Sequence, residues 1–166
     1  MLSIYLVSFL EHGSPFFCQE RIGRNLNPFV LIKFRSMATG TRPVGTHLVD
    51  ASSITRLGRF LRKTKLDELP QLFNVFLGNM SIVGPRPCLL NQTELIEERK
   101  KRGVYEILPG ITGLAQVNEI DMSTPRKLAR YDQLMKNKMN LKLYLGLILD
   151  TAFGKGRGDR VRKQNH

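Results

Sequence analysis

The chain has 166 residues, 42% of them apolar, which suits one domain with a modest core and excludes a disordered tail. Twenty-six Lys and Arg stand against 14 Asp and Glu, a formal net charge of +12. A balance that basic points to nucleic acid, an acidic membrane surface or a phosphorylated substrate, and 8% aromatics with no Trp is thin for a base-stacking platform.

The first ten residues, MLSIYLVSFL, are almost wholly apolar. At about 1.5 Å per residue a helix of that length covers half of a ~30 Å hydrocarbon core, so it cannot span. It has neither a basic n-region nor a small-residue cleavage site, which argues against a signal peptide. A core helix, an interfacial segment and the stump of something longer all stay open. Residues 16–37 then read as a hairpin, two strand-like arms around the turn chemistry of RNLNP. Alternation in the second arm places Val30, Ile32 and Phe34 on one face and Leu31, Lys33 and Arg35 on the other. Two cations on one face can meet an anion or be merely solvated.

Residues 38–52 are rich in Gly, Thr and Ser and read as a loop. Over 53–63, Ile54, Leu57, Phe60 and Leu61 make an apolar stripe, with Arg56, Arg59, Arg62 and Lys63 elsewhere. That is a basic amphipathic helix, fit for an acidic membrane surface or for the flank of a core. A third helix is expected at about 68–77, a strand at 81–84 and a helix over 88–102. LPGITG reads as a turn leading to a strand, LAQVN, and 124–138 and 141–153 read as two further helices. The tail GKGRGDRVRKQNH is basic and lacks the spacing of a phosphate loop. Cys18 and Cys88 form no CxxC pattern and read as reduced thiols. His12, His47 and His166 share no spacing, so no histidine metal site is expected. The sum is a compact α/β (α+β) domain of mixed helices and short strands.

Within LRKTKLDELPQLFNVFLGNMSIVGPRP, a basic and apolar stretch, Asp67 and Glu68 stand side by side. Pro70 is tolerated in a first helical turn, which puts the helix start at about Asp67, where backbone N–H groups are unsatisfied. Asp67 then reads as a plain N-cap with Glu68 a first-turn acid. The arginines support a second reading. Arg62 precedes the pair, and Arg86 is held between prolines, a rigid guanidinium suited to phosphate. Two adjacent carboxylates can divide labour, one attacking phosphorus and the other holding Mg²⁺.

KFRSM, LDELPQLFNVFLGNMSIVGPRP and PGITGLAQVN resemble the bacterial monotopic phosphoglycosyl transferases, or initiating sugar transferases, over about residues 14–153. The resemblance implies transfer of a sugar 1-phosphate from a UDP-sugar to a polyprenol (undecaprenyl) phosphate, opening O-antigen, capsule, exopolysaccharide or glycoconjugate assembly. It implies a Mg²⁺-dependent, ping-pong reaction with Asp67 as nucleophile through a covalent phosphosugar, and Glu68 as a metal ligand. It carries substrate contacts onto Lys33, Arg35, Arg62, Arg86, Gln116 and Asn118. The implied setting is the cytoplasmic face of the bacterial inner membrane, against anionic lipid and with no nucleic acid. The implied layout is a remnant of the family's membrane-associated helix at 1–12, a catalytic domain at 13–153 and a basic tail at 154–166. Many members carry Trp at the position of Leu114 and Gly-Arg at Glu119-Ile120, so EIDMSTP suggests a sub-branch with its own sugar preference. Two rivals are a membrane-surface relic with the fold but no turnover, and a basic nucleic-acid-binding module with Asp67 as an N-cap. No recognisable nucleic-acid motif favours the latter.

Overall fold

The computed structural model describes residues 14–38, 40 and 53–156. The expectations for 1–12, for most of the 38–52 loop and for the tail beyond residue 156 lie outside the described residues. Strand β1 (Phe16–Ile22) pairs antiparallel with β2 (Pro28–Phe34), Phe16 opposite Phe34 and Ile22 opposite Pro28. RNLNP closes the hairpin as expected, because Asn25 and Leu26 take left-handed φ values of 57° and 63°.

Helix α1 (Arg56–Thr64) starts where Thr55 accepts a hydrogen bond from Gly58 N at 3.0 Å. A Cβ at Gly58 would lie 1.9 Å from Ser36 O, so a bare backbone is what lets α1 press on the end of the hairpin. Lys65, left-handed at φ 58°, stops α1, and a single 3-10 turn, Leu66–Glu68, follows. Then come α2 (Gln71–Phe76), β3 (Ser81–Val83), α3 (Thr93–Lys101) and a 3-10 turn at Val104–Glu106. Strand β4 (Gly110–Thr112) pairs parallel with β3. Helices α4 (Leu114–Val117), α5 (Pro125–Lys138) and α6 (Leu141–Ala152) complete the chain, α6 capped by Asn140 accepting from Leu143 N at 2.8 Å.

Two apolar clusters hold these elements. Cys88, Leu95, Ala115, Ile120, Leu128 and Ala129 fill one, between α3, α4 and α5. Val83, Met135 and Leu147 centre the other, with Leu114 and Val117 packed against it. The α/β expectation therefore holds, as do the hairpin and the three helices expected at 53–63, 124–138 and 141–153.

Three local features depart from what pattern alone suggests, each for a physical reason. Burial on β2 does not follow its two faces: Leu31 and Phe34, from opposite faces, are both buried while Val30 is half exposed. Two-stranded ribbons twist strongly, and the free edge of β2 is met by α2. The buried Asn74 side chain donates to Val30 O at 2.7 Å and accepts from Ile32 N at 3.1 Å, acting as a stretch of third strand. LAQVN is not a strand. The strand lies earlier, inside the expected turn, and Leu114–Val117 is one helical turn that sends Ala115 into the core. The helix expected over 88–102 begins only at Thr93. Cys88 O accepts from Ile22 N of β1 at 3.0 Å, a tertiary bond, and Gln92 Oε1 accepts from Leu89 N at 2.9 Å, a local side-chain bond that holds the segment as a turn.

Asn74→Leu keeps the volume and removes both contacts to the edge of β2. It should lower stability by about 2–4 kcal/mol, because a backbone donor and an acceptor lose their partners together. Urea unfolding measures it; a loss under about 0.5 kcal/mol would show that water replaces the side chain freely.

Candidate active site

Lys65 stops α1, and the tight turn after it points Asp67 inward. The first residue of α2 is Gln71, with Pro70 at its N-cap position. Asp67 is therefore not the N-cap expected from the proline: Leu69 closes the 3-10 turn, and Pro70 stands at the N-cap of α2 instead of inside the first turn of a longer helix. Asp67 is 7% exposed. Glu68 Oε1 accepts from Arg86 Nη1 at 3.0 Å, an ion pair between the turn and the loop that follows β3.

Burial raises the Asp67 pKa from its ordinary 3.8 to about 6, and the neighbouring charge of Glu68 adds to the rise. Lys33 from β2, Arg62 from α1 and Arg86 oppose it. Three of the cations singled out in the sequence thus converge on the carboxylate pair from three different elements. Arg35 does not join them. Its Nε donates to Ser14 O at 3.1 Å and its Nη2 to Phe16 O at 3.2 Å, tying the start of β1 to the end of β2. Lys33 and Arg35 share the ring of Phe17, at 5.4 and 5.9 Å from its centroid.

A cleft of about 710 Å³, open mouth included, is lined by Glu68, Arg86, Lys65, Gln116, Glu119 and Asp121 among others, while Asp67, Lys33 and Arg62 stand behind its lining. Gln116 Nε2 donates to Ile111 O at 2.8 Å, while its buried Oε1 has no partner among the described residues. Asn118 is exposed and donates to Leu114 O at 2.7 Å; it does not line the cleft. Three further residues line the cleft: Glu119 and Asp121, from the EIDMSTP stretch that the sequence marked only for sugar preference, and Lys65, which it did not mark at all. Lys65 Nζ donates to Lys155 O at 2.7 Å. Its pKa is lowered by burial, with Glu68 working against that and Arg86 adding to it. In the sequence it is one cation among several in RKTK, and nothing there marks it as turned inward. Glu119 takes a left-handed φ of 57°. Glycine adopts that conformation at no steric cost, so the wall of the cleft turns here on a residue that takes a backbone uncommon for a glutamate. Asp121 Oδ1 accepts from Ser123 N at 2.9 Å, so it also shapes the turn that forms the wall.

Among the described residues no group of three or more His, Cys, Asp and Glu converges as a preformed metal centre. What the geometry offers is a carboxylate pair with guanidinium and ammonium groups beside an open cleft. Such a set can receive a diphosphate and place a carboxylate against phosphorus.

The sequence profile of the bacterial sugar transferases matches residues 1–156. An uncharacterized sugar transferase, EpsL, of Bacillus subtilis is 47% identical over 110 residues, 66% of this chain and 54% of its own length. A UDP-glucose:undecaprenyl-phosphate glucose-1-phosphate transferase of Xanthomonas campestris pv. campestris is 40% identical over 166 residues, 92% of this chain and 34% of its own. A UDP-galactose-lipid carrier transferase of Erwinia amylovora is 39% identical over 138 residues, 71% of this chain and 28% of its own. The chain thus spans between about a quarter and a half of the length of these relatives.

The raised pKa sets a pH dependence. Below about pH 4 Asp67 is protonated in both the folded and the unfolded chain and costs nothing. As pH rises from about 4 to 6 the unfolded chain loses the proton first, and stability falls. Above pH 6 the full cost, about 3 kcal/mol, is present. Asp67→Asn removes the titration. In metal-free buffer the variant should be more stable than wild type above pH 6, and the advantage should vanish by pH 4. A pH-independent difference in denaturant midpoints would contradict the assignment.

Proposed function

The chain belongs to the bacterial sugar transferase family, and from that premise we propose that it moves a sugar 1-phosphate from a UDP-sugar to a polyprenol phosphate. The observation that carries the reading is the buried carboxyl of Asp67 beside the Glu68–Arg86 pair, with Lys33 and Arg62 bearing on it. With its pKa at about 6, Asp67 is mostly ionised at neutral pH, as a nucleophile must be. Its Oδ attacks the phosphorus that bears the sugar. The bond from that phosphorus to the bridging oxygen breaks, and UMP leaves with the electron pair. An oxygen of the polyprenol phosphate then attacks the same phosphorus and Asp67 departs, leaving a sugar diphospholipid. Arg86, Arg62 and Lys33 bind and neutralise the diphosphate as the negative charge shifts toward UMP.

Mg²⁺ fits the donor set in one way only. It commonly takes one or two carboxylates together with substrate phosphate oxygens, and Glu68 at the cleft is the carboxylate that would hold it. When bound it would supply charge neutralisation at the diphosphate.

The acceptor is a lipid, and the surface supports a lipid-facing side. Helix α6 exposes Leu141, Leu145 and Leu149, each four residues from the last, and its C-cap Phe153 is exposed at the next step of that spacing. Helix α2 exposes Leu72, Phe73, Phe76 and Leu77. Both helices pack on β3, whose Ile82 is exposed too. Among the described residues no helix is long and apolar enough to cross a membrane. We read these faces, with basic α1, as seated on the anionic cytoplasmic leaflet. The sequence reading offered α1 for that role, and the apolar residues of α2 pass for core.

The central test is incubation with UDP-glucose, UDP-galactose and other UDP-sugars plus Mg²⁺, without acceptor. Wild type should release UMP and gain a phosphosugar mass on the peptide containing Asp67. Folded Asp67→Asn should lose turnover by at least about 10³-fold; near-normal turnover would sink the mechanism. Arg86→Lys keeps the charge without the planar fork and should cost about 10–100-fold. A Phe76→Glu, Leu145→Glu double variant should keep its melting temperature and lose sedimentation with anionic vesicles; full binding would refute the lipid face.

A further inference from the structure

Two prolines leave the loop Pro85-Arg86-Pro87 short of donors of its own, so its carbonyls depend on other segments. Four carbonyls in succession are met. Pro85 O accepts from Gly110 N at 3.0 Å and Arg86 O from Arg99 Nη1 at 2.8 Å. Pro87 O accepts from Arg21 Nη1 at 3.2 Å and Cys88 O from Ile22 N at 3.0 Å. The bond to Arg86 O differs from the rest in its support. Arg99, on α3, is 1% exposed. Its Nε donates to Asp132 Oδ2 of α5 at 2.9 Å, and its Nη2 lies 2.7 Å from the same oxygen. Asp132 is as deeply buried.

We propose that the Arg99–Asp132 pair is a positioning device that holds the Arg86 peptide so that the Arg86 guanidinium faces Glu68 and the donor diphosphate. The catalytic half of this statement rests on the function proposed above. Stability alone does not account for the pair. Two buried charges carry a large desolvation cost, and apolar residues of similar volume in their place are often neutral or stabilising. What an apolar pair could not supply is the third nitrogen, aimed at the carbonyl of Arg86. The flanking prolines restrict the backbone around Arg86 to extended geometry. The remaining freedom is rotation of the Arg86–Pro87 peptide, and the Arg99 bond removes it. Asp132 holds the guanidinium plane, Arg99 the carbonyl, and Arg86 reaches Glu68 at 3.0 Å.

Removing one partner strands a buried charge and risks the fold, so the test variant is Arg99→Met with Asp132→Leu. The expected result is a melting temperature at or above wild type, UMP release slowed about 10–100-fold in kcat, and little change in KM for the donor. In an Arg86→Lys background the same double substitution should cost almost nothing further, because the clamp acts through Arg86. Side-chain ¹⁵N relaxation of Arg86 Nε should pass from restricted to mobile. Unchanged kcat, an equal loss in the Arg86→Lys background, or an Arg86 side chain as rigid as before would overturn the proposal. If wild type released UMP from no donor, the function proposed above would fall. The relaxation measurement, which needs no turnover, would then decide the clamp by itself.

Discussion

Where β3 meets β4, the backbones of Gly84 and Gly110 lie closer than any side chain would allow. A Cβ on Gly110 would stand 2.0 Å from Gly84 N, and one on Gly84 2.5 Å from Leu108 O. At that spacing Gly84 N reaches Thr112 O at 2.8 Å, and two three-residue strands become a parallel pair. Both walls of the cleft leave from this contact. Strand β3 runs on into the loop that carries Arg86, and β4 runs through Gly113 into the turn that carries Gln116. Bulk at either glycine would part the walls and displace the residues that face each other across them.

The electrostatics of the site oppose one another by construction. Burying Asp67 next to Glu68 disfavours its ionised form, and three cations drawn from β2, α1 and the Arg86 loop oppose that rise without cancelling it. The result is a carboxylate that is charged at neutral pH yet incompletely neutralised. Such a group is poised toward an incoming cation or an electrophilic phosphorus. A site that destabilises itself persists only when the packing around it over-determines it. Arg99 and Asp132, Asn74 and the two glycines are the local means by which this fold does so.

Much of this was legible before any coordinates. The hairpin, α5 and α6 follow from strong local patterns, RNLNP turn chemistry in one case and long apolar periodicity in the others. The association of the acidic pair with Arg62 and Arg86 could be read from residue types, and the family from LDELPQLFNVFLGNMSIVGPRP. What escaped was set by tertiary contact. LAQVN has strand-like composition, but β4 forms where glycine permits close approach, and that depends on Gly84, 26 positions away. Residues 88–92 give up helix where Ile22 of β1 claims the carbonyl of Cys88. Lys65 looks like any other lysine of a basic run until its left-handed backbone turns it into the cleft. Phe76 and Leu77 look like core because sequence cannot say which apolar residues will lack a neighbour.

The side chain of Asn74 has a consequence for how this protein behaves in company. A two-stranded ribbon has two open edges, each a row of backbone groups on which a neighbouring chain can add a strand. On β2 the carboxamide already fills the donor of Ile32 and the acceptor of Val30. Edge-to-edge aggregation would have to displace a buried group before it could begin.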